Sequence, residues 1–248
     1  MARPVYCISA FLLCSLPVTA QSNDLLEAFQ AGNAAYAEEQ YLEAVKAYEK
    51  AMDHSRESSL ALLFNLGNAY YQLQDFPSAL LAYERALTLD PGNPDVAANL
   101  QKVIEHSNLS RPDYSVAQEF AYSLSLRTWL RLLMMASAIT TLAGVLIWFA
   151  PKLAPIPILA LYLSIPLMLC AMTGLFLWKQ DFGRALILRP DTAIRVAPTE
   201  SANVLDALPH GTWVAVLETH EPYHYIRTAD KREGWVKNLS LGEVWSKN

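Results

Sequence analysis

The chain has 248 residues, 53% of them hydrophobic and only 17% charged, with a formal net charge of −5. That is too apolar for an ordinary soluble protein, so membrane-spanning segments are expected. Residues 21–120 hold six Lys and Arg against fifteen Asp and Glu, and residues 179–248 hold nine of each. Neither part offers the clustered cations that nucleic-acid phosphates demand, which excludes a nucleic-acid partner.

The N-terminus reads MARPVYCISAFLLCSLPVTAQS. One arginine precedes an apolar run, and Val18, Thr19 and Ala20 supply small residues for cleavage, so residues 1–20 are expected to be a secretory signal peptide. Leu13 before Cys14 excludes lipidation, which needs a small residue there. Of the three cysteines, Cys7 and Cys14 leave with the leader and Cys170 lies in an apolar stretch. The mature soluble parts therefore lack disulfides, a cysteine zinc site and a cysteine nucleophile.

Residues 21–106 form a repeat region that reads as helix over 24–106, with apolar residues at three- and four-residue spacing. GNAAYAEEQYLEAVKAYEKAM (32–52) aligns with GNAYYQLQDFPSALLAYERAL (67–87), matching Gly32 to Gly67, Ala44 to Ala79, Tyr48 to Tyr83 and Ala51 to Ala86. Asn99-Leu100 repeats Asn65-Leu66, which makes residues 94–106 a third, solvating helix with Asn93 as cap and Pro94 at its first position. The spacing, the small residues at helix crossings and Pro91 resemble the tetratricopeptide repeat (TPR). That resemblance implies a concave face at Phe29, Asn33, Tyr36, Phe64, Asn68 and Tyr71, where asparagines pair with a peptide backbone and aromatics grip apolar side chains. The other reading of Tyr36 and Tyr71 is packing between helices. Phe29 stands where a carboxylate-clamping repeat has its first lysine, and the region is acidic, so a basic or neutral partner segment is favoured. Little more than two repeats should be marginally stable alone, leaving a partner or the membrane to complete the array.

Residues 107–127 read as a linker with a short interfacial helix from Val116. Two apolar spans follow, 130–150 and 156–178, each long enough to cross a bilayer and joined by PKLAP as a tight hairpin. Trp129, Trp148 and Trp178 sit near their ends, where interfacial aromatics belong, and Pro166 should kink the second span.

Residues 184–245 switch to short β runs at roughly ten-residue spacing, as in a small barrel. Arg195, Pro198, Leu208, Gly211, Val214, Gly234, Trp235 and Val236 resemble the pattern of bacterial SH3-like (SH3b) domains. That resemblance implies a possible peptide groove among Trp213, Tyr223 and Tyr225, with Trp235 the aromatic most expected in the core.

HEPYH (220–224) satisfies the zinc-peptidase pattern, but Pro222 breaks the helix that the chemistry needs. An extended pentapeptide sets its histidines ~13 Å apart, beyond one zinc ion. HEPYH is therefore read as a loop and not a metal site. His54, His106 and His210 are scattered, and no G-x-S-x-G or phosphate-binding glycine loop occurs. The reading is non-catalytic, with no cofactor.

The order of leader, repeats, linker, apolar hairpin and SH3-like tail resembles the TPR membrane proteins of bacterial aerotolerance operons (Bat-type, BatE-like). The resemblance implies a multidomain envelope scaffold working beside von Willebrand A-domain membrane proteins and a MoxR-type ATPase. The leader implies a two-pass inner-membrane protein with both soluble parts outside the cytoplasm. Arg127, Arg131, Lys179 and Arg184 flank the hairpin on that side against Lys152 in the loop, contrary to the positive-inside rule. The rival function is a cell-wall sensor that binds peptidoglycan peptide through the SH3-like groove.

Overall fold

The computed structural model describes residues 18–53, 59–111, 114–150, 152, 155–180 and 183–244. Most of the leader, and most of the HSRESS connection, lie outside the described residues. Five helices come first: α1 (Val18–Ala37), α2 (Tyr41–Asp53), α3 (Leu60–Gln72), α4 (Phe76–Leu89) and α5 (Pro94–His106). Short polar residues set their starts. Ser59, Asp75 and Asn93 each accept the backbone N–H three residues on, and proline fills the first turn of α4 and α5. Glu39 and Gln74, 35 positions apart, both take positive φ in the turns after α1 and α3. Tyr83 lies flat on Gly67, where an added Cβ would come within 2.6 Å of the ring, and Tyr48 covers Gly32 in the same way. The helices of each pair approach closely because glycine leaves room for the tyrosine.

Three further helices are α6 (Val116–Tyr122), α7 (Leu126–Phe149) and α8 (Pro155–Gln180). The last two are long and apolar enough to cross a membrane. They pack against each other through Ala136, Ala143 and Ala171, all buried, and Trp129 lies on Gly174. A Thr140–Ser164 hydrogen bond of 2.8 Å joins them midway. Pro166 lies inside α8.

The C-terminal part is one antiparallel sheet of seven strands: β1 (Arg184–Ile187), β2 (Thr192–Arg195), β3 (Val204–Leu208), β4 (Trp213–His220), β5 (Tyr223–Thr228), β6 (Glu233–Lys237) and β7 (Leu241–Glu243). Their order is β3-β2-β6-β5-β4-β1-β7. Among the described residues the sheet runs from edge β3 to edge β7 without a closing pair, so the expected closed barrel is not what the pairing gives. Register shifts at Ile194/Arg195 and Val216/Glu218 bend it around Ala185, Ile187, Ile194, Leu208, Val214, Ile226 and Val236.

Two readings of this region need correction. HEPYH is a strand–turn–strand rather than a loop, with His220 paired to Tyr223 and Thr219 to His224. Paired residues share a face, so His220 and His224 project to opposite faces of the hairpin. Trp235 is half-buried rather than central, because alternation along β6 turns its neighbours Gly234 and Val236 inward.

The sheet is not a free tail. Leu186 and Val244 belong to the same buried cluster as Leu63, Leu80, Leu81, Val96, Leu100 and Val103 of the helices. The cover expected from a partner or the membrane comes in part from the chain's own β1 and β7.

Candidate functional site

The repeated asparagines build the first surface. Asn33 Oδ1 accepts from Tyr48 Oη and from Asn65 Nδ2, both at 2.9 Å. One repeat later Asn68 Oδ1 accepts from Tyr83 Oη at 2.6 Å and from Asn99 Nδ2 at 2.8 Å. Each asparagine carbonyl is thus consumed inside the array, where it positions a tyrosine from its own helix pair and an asparagine from the next helix. What remains for a partner is the amide N–H2 of Asn33 and Asn68.

These groups line two adjoining depressions. The first is formed by Asn33, Tyr36, Tyr48, Asn65 and Asn68, and the second, of about 250 Å³, by Tyr36, Asn68, Tyr71, Gln72, Tyr83, Asn99 and Lys102. Of the six expected concave-face residues, Asn33, Tyr36, Asn68 and Tyr71 therefore share one groove. Phe29 and Phe64 sit behind it, packed on the rings of Tyr48 and Tyr83. Tyr36 and Tyr71 do both things considered: each lines the groove and each meets an aromatic across the helix turn, Tyr41 and Phe76 respectively. Burial holds the Tyr83 and Tyr48 hydroxyls above their ordinary pKa. They stay neutral and donate. Asn65, Asn99 and Lys102 also line the groove, and the sequence signal for the two asparagines is the repetition of Asn65 at Asn99.

A second concavity, of about 740 Å³, opens where the helical array meets the sheet. Phe76, Leu109 and Trp213 supply its apolar walls, Arg111, Asp230 and Arg232 its charges, and His210 also lines it. Trp213 Nε1 donates to the Ser110 carbonyl at 2.8 Å, and Leu109 packs against Gly211, where φ is 78° and an added Cβ would collide with the leucine side chain. Beside it Glu84 is almost fully buried and accepts from Arg111 Nε at 2.5 Å and Nη2 at 3.2 Å. Arg184 approaches the same carboxylate at 4.0 Å with its guanidinium over the rings of Tyr114, Tyr122 and Trp213. Desolvation lowers its pKa to about 10, the negative charge of Glu84 opposing the shift.

The expected groove on the sheet is divided among three environments. Trp213 is held in the joint just described, and Tyr223 is buried. Tyr225 alone of the three is half-buried, its ring tilted 50° against Trp235 with centroids 5.2 Å apart, and His220 meets the same indole.

The tetratricopeptide repeat profile matches residues 61–93, which span α3, α4 and the turn before α5. A search of curated proteins finds no match.

Proposed function

We propose that this chain is a membrane-anchored, non-catalytic scaffold whose repeat groove binds partner proteins in a bacterial envelope complex. The groove of Asn33, Tyr36, Asn68 and Tyr71 carries the reading, since its amides and phenols suit a peptide backbone. The repeat match supports protein partners in general. Anchoring is supported by α7 and α8, which turn large apolar side chains such as Met134, Leu142, Trp148, Tyr162 and Leu163 outward. Likeness to the Bat-type proteins extends the proposal to von Willebrand A-domain membrane proteins and a MoxR-type ATPase as partners. It extends it also to an SH3-like identity for the sheet, and to an extracytoplasmic position that follows the leader. The rival, peptidoglycan binding by the sheet, is weakened because two of its three groove residues are spent on packing.

The test is site-specific photocrosslinking in cells. A benzophenone amino acid at Tyr36 or Tyr71 should give discrete protein adducts that the same group at Lys46, on the outer surface of α2, does not. Identical adducts at all three positions would remove the groove from consideration.

A further inference from the structure

The short helix α6 is bolted to the end of the apolar hairpin. The Ala121 carbonyl accepts two indole N–H groups, Trp129 Nε1 of α7 at 2.7 Å and Trp178 Nε1 of α8 at 2.8 Å. Both indoles are almost fully buried, and the Tyr122 ring meets Trp178 edge-on at 4.7 Å. A capping box between Ser115 and Gln118 starts the helix, so its orientation is fixed at both ends.

With that face committed, α6 presents Val116 and Phe120 outward, one helical turn apart, 83% and 50% exposed. Phe120 is continuous with the hairpin, its ring lying 5.6 Å from that of Trp129. Arg127, Arg131 and Lys179 are exposed at the same end of the hairpin, and Glu119 is the acidic side chain of α6. At 24 and 26 residues, α7 and α8 are ~36 and ~39 Å long, several ångströms more than a hydrocarbon core of ~30 Å. Their excess length carries the first turn of α7 and the last of α8 into the headgroup layer, and Arg131, one turn deeper, reaches it along its own stem.

Resting on the membrane-anchored reading above, we infer that this end of the molecule is a lipid-recognition surface. Val116 and Phe120 insert at the interface, while Arg131 and Lys179 bind the phosphates of acidic phospholipids. Continuity of the apolar face with the hairpin points to a lipid occupant, and among the described residues Arg131 and Lys179 outnumber Glu119 at this end, which selects acidic headgroups. Because Tyr122 and Arg184 join α6 to the sheet, lipid contact also sets how the repeat groove stands above the membrane.

The experiment uses the full chain with Cys170→Ser and Phe120→Cys, the new thiol carrying an environment-sensitive fluorophore. It is reconstituted into phosphatidylcholine vesicles with and without phosphatidylglycerol. The fluorophore should be shielded from aqueous iodide and quenched by nitroxides near the lipid headgroups, whereas the same label at Glu105→Cys should respond to iodide alone. In the mixed vesicles, phosphatidylglycerol should be enriched in the lipid retained by the protein. Arg131→Gln and Lys179→Gln should each lower that enrichment by up to about fivefold. Free access of iodide to position 120, or equal retention of both lipids by the unmodified chain, overturns the inference while leaving the anchor intact. A chain extractable from vesicles by alkaline carbonate would fail the anchor itself.

Discussion

Arg85 of α4 donates through Nε and Nη2 to the Glu243 carbonyl of β7, at 2.9 and 2.6 Å, across 158 positions of sequence. Burial lowers the pKa of this arginine, with the negative charge of Glu243 acting against the shift. One residue earlier, Glu84 holds Arg111 of the linker and faces Arg184 of β1. Two consecutive side chains on one repeat helix therefore fasten the array to the sheet. A repeat stack of this length buries too little surface by itself, and β1 and β7 supply part of the missing cover.

If that joint is structural, its loss should be felt in both parts at once. Glu84→Gln removes the carboxylate that holds Arg111 and faces Arg184 and should cost about 3 kcal/mol, the low end for a broken buried pair because Arg111 is partly exposed. Unfolding of the detergent-solubilised chain, followed by helical ellipticity and by tryptophan fluorescence, should shift to lower denaturant on both signals. A shift in only one would mean that the array and the sheet fold separately.

Gly67 and Gly92 offer a matched pair. A methyl group on Gly67 meets the Tyr83 ring at 2.6 Å, whereas nothing lies within 4 Å of one on Gly92. Gly67→Ala should destabilise by about 1–3 kcal/mol and Gly92→Ala by well under 1 kcal/mol, read from the midpoints of denaturant titrations.

Asn68 and Tyr83 should be energetically coupled. Asn68→Ala strands the buried Tyr83 hydroxyl at a cost of about 1–3 kcal/mol, and Tyr83→Phe in that background should cost little more. Additive losses would deny the hydrogen bond any role.

The pair also has a pH signature. Burial raises the Tyr83 pKa above 10.0, so the unfolded chain ionises first as the pH climbs. The stability contributed by the neutral hydroxyl is complete below pH 10 and is lost above it, and the loss should be shallower in Tyr83→Phe. Arg184 acts oppositely and equally in both proteins. Its folded pKa lies below the unfolded value, so its burial penalty eases above about pH 10.

Orientation is open to direct labelling. With Cys170→Ser and Leu239→Cys, a position 75% exposed, a membrane-impermeant thiol reagent should label intact cells if the leader sets the topology. Labelling only after lysis would place the sheet and the groove in the cytoplasm. That result would agree with the flanking cations, remove the wall as a ligand, and require the first apolar segment to be reread.

Much of the groove was legible because repetition makes each residue testify twice. Asn33 and Asn68, or Tyr48 and Tyr83, occupy equal places in successive helix pairs, and the repeat pattern reports such places directly. What sequence missed was the use to which each was put. The asparagine carbonyls looked available for a peptide, yet they are occupied by Tyr48, Asn65, Tyr83 and Asn99. A hydrogen-bonding group has only so many lone pairs, and spacing along the chain does not say which neighbour takes them.

The sheet marks the boundary more sharply. Alternating apolar residues and turn signals were enough to announce short strands, because strand formation is written in a local period of two. Apolar runs of sufficient length likewise announced the hairpin α7–α8. Whether the sheet closes, which aromatics stay outside and where the whole unit docks are decided by contacts between residues far apart in the chain. Trp213 lies 103 positions from Ser110, and nothing near either residue encodes the match. By itself, then, the sequence determined the helical repeats, the apolar spans and the strand content. Tertiary structure alone decided that array, hairpin and sheet meet at Glu84, Arg85 and Ala121, since surface shape and buried polar partners select such contacts only once the chain has collapsed.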